Sequence, residues 1–285
     1  MTVRGSCLCG DVAWQTDAPL QFMHHCHCGR CRKAHGAAYA TGAMCDAGGF
    51  RFTGGRERIA RWESSPGSSR AFCDRCGSVV PDDEQWQGHV FVHAGTLDDD
   101  PGERPAFHIF TGSKAPWVEI RDRLQAFDTF PPGIDTPVLP DLSPRTEDAG
   151  APRGSCLCGG VTFAVSGQPL WCLHCHCTRC RKARGAAFAS NLVTRADGVS
   201  VLSGDDLLAS YKVPEARWFT TVFCRRCGAK VPRFDRERDL AIVPMGALDD
   251  SPGVRPQRHI FVGSKAPWDV ITDDLPQHDA GLPPA

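Results

Sequence analysis

Residues 25–34 read His25-Cys26-His27-Cys28-Gly29-Arg30-Cys31-Arg32-Lys33-Ala34, and residues 174–183 read His174-Cys175-His176-Cys177-Thr178-Arg179-Cys180-Arg181-Lys182-Ala183. The two stretches lie 149 residues apart (180 − 31), and the match extends from them in both directions. Upstream, Gly5-Ser6-Cys7-Leu8-Cys9-Gly10 returns as Gly154-Ser155-Cys156-Leu157-Cys158-Gly159. Downstream, Phe72-Cys73 and Arg75-Cys76-Gly77 return as Phe223-Cys224 and Arg226-Cys227-Gly228, now at an offset of 151 (224 − 73). Gly112-Ser113-Lys114-Ala115-Pro116-Trp117 returns unchanged as Gly263-Ser264-Lys265-Ala266-Pro267-Trp268. A period this long is a duplicated domain, whereas solenoid repeats recur every 20 to 50 residues or so.

The chain has 285 residues and a formal net charge of −1, with 41% hydrophobic and 23% charged residues. That length suits two domains, and the composition is that of a globular protein. The charge gives no basis for wrapping nucleic acid or coating an anionic membrane. No apolar run reaches 18 residues, and the first residues carry no apolar signal core, so the expected location is cytoplasmic. The count of 16 Cys is the unusual feature. Disulfide-dense scaffolds are small and secreted. Clusters spaced C-x-C and C-x-x-C instead favour several sulfurs sharing one metal ion.

Cys45 and Cys172 have no counterpart in the other copy, and a lone Cys of this kind usually serves as a small buried hydrophobe. Each copy then keeps seven: Cys7, Cys9, Cys26, Cys28, Cys31, Cys73 and Cys76, and Cys156, Cys158, Cys175, Cys177, Cys180, Cys224 and Cys227. Structural zinc takes four ligands in a closed tetrahedron, while catalytic zinc keeps three and an open position. Seven therefore divides most simply into four and three. The front C-x-C and the late C-x-x-C make the closed site; the central C-x-C-x-x-C makes the open one. This predicts about four zinc ions per chain, two in each domain. Alternatives remain at the central trio. His25 or His27 offers a fourth ligand in the first copy, and Cys172 offers one in the second. Arg30, Arg32 and Lys33, with Arg179, Arg181 and Lys182, are placed by the sequence to offset the charge of three thiolates or to hold a substrate carboxylate.

The coarse pattern is β-rich. Val12 and Trp14 alternate with polar residues, as do Val161, Phe163 and Val165, and Val90 and Val92 lie opposite Phe91. A short helical turn is expected after each central Cys cluster. The expected boundaries are residues 1–130 for the first domain, 131–152 for a Pro-rich extended linker and 153–285 for the second domain, whose tail after Leu275 is expected to fray.

The order Gly-Ser-Cys-x-Cys-Gly, His-Cys-His-Cys-x-x-Cys-Arg-Lys, Phe-Cys-x-x-Cys-Gly and Ser-Lys-Ala-Pro-Trp resembles the glutathione-dependent formaldehyde-activating enzyme family. It does so twice, over roughly residues 3–127 and 152–275. The resemblance implies a mainly β fold of two tandem Mss4-like zinc-binding β domains, with the outer Cys pairs structural. It places Cys26, Cys28, Cys31, Cys175, Cys177 and Cys180 as ligands of the active zinc. It also implies a carbon–sulfur lyase-type activity of the S-(hydroxymethyl)glutathione synthase kind, with a small thiol (glutathione is the family's) and an aldehyde as partners. The alternative is a non-catalytic zinc module that stores a thiol adduct or docks a partner.

Candidates for substrate contact are Arg32, Lys33, Lys114 and Trp117, with Arg181, Lys182, Lys265 and Trp268. The loop carrying the last Lys–Trp pair in each copy is polar and turn-prone, although a Trp there also suits a barrel plug and a Lys there suits solvent. His108 and His259 each precede an Ile-Phe pair and are expected to be strand residues. Asp98-Asp99 and Asp249-Asp250 are expected to cap turns.

Overall fold

Alternation decides which residues enter the core. Trp14 is 1% exposed in a strand whose neighbours Ala13 and Gln15 are only partly covered. Gly5 pairs with it across the strands, and a Cβ at Gly5 would stand 2.1 Å from the Trp14 ring, so only glycine fits beneath the indole. The same arrangement recurs at Gly154 and Phe163.

The computed structural model describes residues 1–83, 86–142 and 151–282. It is mainly β, in two tandem domains. The first copy runs through β1 (Val3–Ser6), β2 (Ala13–Thr16), β3 (Gln21–Cys26), α1 (Gly29–His35), β4 (Ala40–Asp46), β5 (Phe50–Gly54), β6 (Ile59–Ser65), β7 (Ser68–Cys73), β8 (His89–His93), β9 (Phe107–Ile109) and β10 (Gln125–Ala126). The second runs through β11 (Arg153–Ser155), β12 (Thr162–Val165), β13 (Trp171–Cys175), α2 (Thr178–Arg184), β14 (Ala189–Arg195), β15 (Val199–Ser203), β16 (Leu208–Lys212), β17 (Thr220–Cys224), β18 (Arg233–Asp235), β19 (Leu240–Pro244), β20 (His259–Ile260) and β21 (Gln277–His278).

In each copy a three-stranded sheet (β1-β2-β5 or β11-β12-β15) and a hairpin (β6-β7 or β16-β17) flank a larger sheet. That larger sheet is ordered β10-β9-β3-β4-β8 in the first copy and β18-β19-β14-β13-β20-β21 in the second. The two residues gained by the second copy lie in the β16–β17 turn, because β6 and β16 still start 149 apart (208 − 59) while β7 and β17 end 151 apart (224 − 73). The helical turns expected after the central clusters are α1 and α2, each ended by a left-handed glycine, Gly36 and Gly185.

The copies share one core. Trp14, Met23, Val92 and Leu97 of the first pack in the same cluster as Phe163, Leu192, Met245 and Leu248 of the second. Each helix docks on the other copy. A Cβ at Gly95 would lie 2.1 Å from the Ala186 amide nitrogen, and one at Gly246 would lie 2.5 Å from that of Ala37. Phe72 and Phe223 meet edge to face, their ring centres 6.4 Å apart.

Residues 131–142 of the expected linker form no strand or helix, and 143–150 lie outside the described residues. The described part is nevertheless tied down: the Gly29 amide donates to Asp141 at 2.8 Å and Arg30 to the Pro140 carbonyl at 2.6 Å. In the tail, where fraying is expected, β21 pairs with β20 and Leu282 packs against the cluster of Leu173, Cys175 and Ala189. Residues 283–285 are outside the described set. No described helix is long and apolar enough to cross a membrane.

Candidate metal centres

The front C-x-C turn and the late C-x-x-C turn converge in each copy. The sulfurs of Cys7, Cys9, Cys73 and Cys76 all lie within 4.8 Å of one another, as do those of Cys156, Cys158, Cys224 and Cys227. The turns hold them there: the Val12 amide donates to Cys7 Sγ at 3.3 Å, and the Gly77 amide donates to the Cys73 carbonyl at 2.8 Å. Gly77 sits at φ 70°, a conformation that favours glycine.

The central sulfurs form separate groups, Cys26 with Cys28 and Cys31, and Cys175 with Cys177 and Cys180. Cys26 ends β3, and Cys28 caps α1 by accepting from the Cys31 amide at 3.4 Å. Cys177 caps α2 in the same way, with Cys180 as donor.

These groups fit a tetrahedral ion. Four sulfurs each 2.3 Å from zinc stand about 3.8 Å apart. The observed pairs are 3.3 Å (Cys7–Cys9), 3.7 Å (Cys9–Cys73), 3.6 Å (Cys26–Cys28) and 3.8 Å (Cys158–Cys224). No disulfide joins any of the 16 cysteines. The division into four and three is thus how the sulfurs group in space.

Neither histidine alternative for the central trio joins it, nor does any other His, Asp or Glu among the described residues. His25 Nδ1 bonds Thr41 Oγ1 at 2.9 Å, and His27 Nε2 bonds His108 Nδ1 at 2.9 Å. Strand alternation turns His25 away from Cys26. His108 in turn contacts Asp122 at 3.0 Å, and His176, His259 and Asp273 repeat this chain in the second copy. Cys172 also stays apart; its thiol lies 3.2 Å from Met245 Sδ, and Cys45 is fully buried in the core.

Several of the expected substrate contacts bond to groups within the protein. Lys33 bonds Ser155 Oγ at 2.6 Å and Asp249 at 2.5 Å, both in the other copy, and Lys182 reciprocates with Ser6 and Asp98. Of the Asp pairs expected to cap turns, Asp98 and Asp249 are partners across the copies, while Asp99 bonds Arg4 and Asp250 accepts from the Arg153 amide within their own copies. Arg181 donates to the Gly95 and Leu97 carbonyls, and Arg32, 1% exposed, donates to the His27 carbonyl. Trp117 and Trp268 are core residues, Lys114 is exposed, and Lys265 donates to the Asp269 carbonyl. Trp117 also lines a cavity of about 280 Å³ between the copies, together with Tyr39, His108 and His259.

What surrounds the first trio came from residues that cluster spacing does not mark. Phe107, Phe110 and Phe127 pack against it. Phe110 holds a left-handed φ of 57°, as its counterpart Phe261 does at 58°. Such a conformation costs a non-glycine residue on the order of 1 kcal/mol or more, and it is kept in both copies beside the trio. Arg70 reaches in from β7 and donates to Cys31 Sγ at 3.5 Å. Burial alone would lower the Arg70 pKa, but Cys31 and Cys28 raise it above its ordinary value. Hydrogen bonds from Cys26 and Cys28, then the charge of Arg70, hold Cys31 well below the ordinary thiol range. The trio is an anionic pocket with its own counterion.

Residues 2–113 and 151–264 match the family described as glutathione-dependent formaldehyde-activating enzyme. A structural-genomics crystal structure of a Rhodobacter sphaeroides protein is 28% identical over 36% of this chain and 91% of its own, with a TM-score of 0.29. No curated protein matches the chain.

Proposed function

The chain belongs to the glutathione-dependent formaldehyde-activating enzyme family, and from that membership we propose that it is a zinc-dependent carbon–sulfur lyase-type enzyme that joins a small thiol to an aldehyde and cleaves the adduct. Glutathione and formaldehyde are the pair the family's name supplies. The observation that carries the reading is the central trio, three sulfurs gathered within 4.8 Å and joined by no fourth protein ligand among the described residues.

Zinc held by Cys26, Cys28 and Cys31, or by Cys175, Cys177 and Cys180, would supply the positive charge that keeps an incoming thiol deprotonated. The four-sulfur groups are closed and serve the fold. The chain's own residues do the rest. Arg70 offsets the negative charge of the first trio. The aromatic wall of Phe107, Phe110 and Phe127 limits water, so charges inside the pocket are weakly screened. Holding thiol and aldehyde together supplies proximity, most of what a simple addition requires.

The test is NMR exchange spectroscopy on mixed glutathione and formaldehyde, with and without zinc-loaded protein. Because the condensation also runs unaided, the expected result is a faster exchange. Unchanged exchange at full zinc content would leave the chain a zinc module that stores a thiol adduct or docks a partner.

A further inference from the structure

The two central trios have the same three cysteines and different surroundings. In the first copy, strand register sets His24 opposite Gly42 and Gly42 opposite His93, a row on the face of the sheet that carries Cys26. In the second copy the same row reads Leu173, Asn191 and Pro244. Arg70 is matched by Thr221, and His35 by Arg184. One copy lines its trio with imidazoles; the other has none in this row.

The first row is a built pocket. His24 stacks on Phe107 with ring centres 5.2 Å apart and donates from Nδ1 to the Phe22 carbonyl at 2.7 Å. His93 packs against His35 at 5.0 Å and Phe91 at 5.2 Å. Gly42 leaves room for this, since a Cβ there would stand 2.2 Å from the Phe91 ring. Three buried polar atoms in it have no hydrogen-bond partner among the described residues: His93 Nδ1, His35 Nε2 and Arg70 Nε. His35 is fully buried and His93 is 6% exposed. Orphaned polar atoms of this kind are costly unless something in the working state meets them. In the second copy Arg184, at the position of His35, donates to Asn191 at 3.1 Å, and its Nη1 is likewise left without a partner among the described residues.

Resting on the function proposed above, we propose that the two trios are unequal: thiol–aldehyde addition belongs to the first, where His93 is a catalytic residue that returns the proton to the aldehyde oxygen. As the thiolate lone pair forms the sulfur–carbon bond, the carbonyl π pair moves to oxygen. The proton given up by the thiol reaches that oxygen through His93, with Arg70 Nε–H as a hydrogen-bond donor beside it. Nothing is oxidised or reduced, and the reverse path cleaves the same bond. Leu173 and Pro244 can neither give nor take a proton, so the second trio supports no turnover.

The test pairs the glutathione–formaldehyde exchange rate with a binding readout, the visible spectrum of the cobalt(II)-substituted protein titrated with glutathione. His93→Gln should lower the protein-dependent rate at least about tenfold while the thiol-induced spectral change keeps its full amplitude. Cys28→Ser should lower the rate as far and remove about half of the spectral change. Two equal centres would leave half the rate in either variant, and that result would overturn the proposal. His93→Gln retains every cysteine, so it decides the matter even where Cys28→Ser folds poorly. A wild-type protein that gives no acceleration defeats the family reading instead, a result distinct from variants that keep half of a real rate.

Discussion

His35 and Arg184 hold the same position in the two copies, and they touch: His35 Nδ1 donates to the Arg184 carbonyl at 2.6 Å. A carbonyl oxygen only accepts, so the proton of the neutral imidazole sits on Nδ1 and Nε2 is left as an acceptor. Burial lowers the His35 pKa to about 4, which keeps it neutral in ordinary buffers. The ends of α1 and α2 thus meet where the domains join, so the contact between copies sets the state of a residue beside the first trio.

Cys73→Ala should unfold the whole chain, both copies in one step. A structural zinc site contributes about 10–16 kcal/mol to small-domain folding, comparable to or larger than the 5–15 kcal/mol net stability of a typical protein. Because the core is continuous between the copies, calorimetry should show one transition, with loss of zinc and soluble yield. Two separate transitions would mean that the copies fold independently. Cys28→Ala, at the open trio, should keep the fold.

Gly95→Ala should destabilise the protein by about 1–3 kcal/mol, the range for overpacking a tight contact. Its Cβ would meet the backbone of Ala186 and Gly185, which cannot swing aside like a side chain. Gly246→Ala should cost a similar amount. Chemical denaturation measures both, and a neutral result would show that the interface between the copies is looser than described.

Residues 1–130 expressed alone should form a homodimer. The surfaces that join the copies are related by the repeat: Lys33 meets Asp249 while Lys182 meets Asp98. A face of this type is self-complementary, as two-fold interfaces require. Light scattering on the purified fragment would reveal the dimer; a well-folded monomer would count against the shared core.

Acid should weaken the fold through buried histidines, His27 among them. Burial first, then the neighbouring His108, lowers the His27 pKa to about 3 against 6.5 in an unfolded chain. Between those values the unfolded state binds a proton that the folded state does not, so stability is full above pH 6.5 and falls as pH drops toward 3. His27→Gln should flatten the slope of unfolding free energy against pH by about one proton in that window. An unchanged slope would place the acid sensitivity elsewhere.

Most of the architecture was legible because the repeat is written in glycine and cysteine, whose spacing is local. The four-plus-three grouping of sulfurs and the helical turns at α1 and α2 follow from it. The surroundings of the trios were not legible. His24, Gly42 and His93 span 69 residues (93 − 24) and become neighbours only through strand register, which no local pattern reports. The partners of Arg32, Lys33, Arg181 and Lys182 were not legible for a related reason. Beside a Cys cluster a cation suggests substrate binding, but α1 and α2 turn these side chains toward backbone oxygens and the other copy. One signal was available: differences between the copies at aligned positions, such as His93 and Pro244, mark where the two centres diverge.

The linker ties at Gly29 and Arg30 have a mechanical consequence. Pro140 and Asp141 are fastened to the first turn of α1, the helix that presents Cys28 and Cys31. A pull on the connecting chain therefore loads the turn of the first copy that carries its central sulfurs. Lengthening or clipping the connection should relax that turn, so the piece of chain that joins the domains also acts as a brace on one of them.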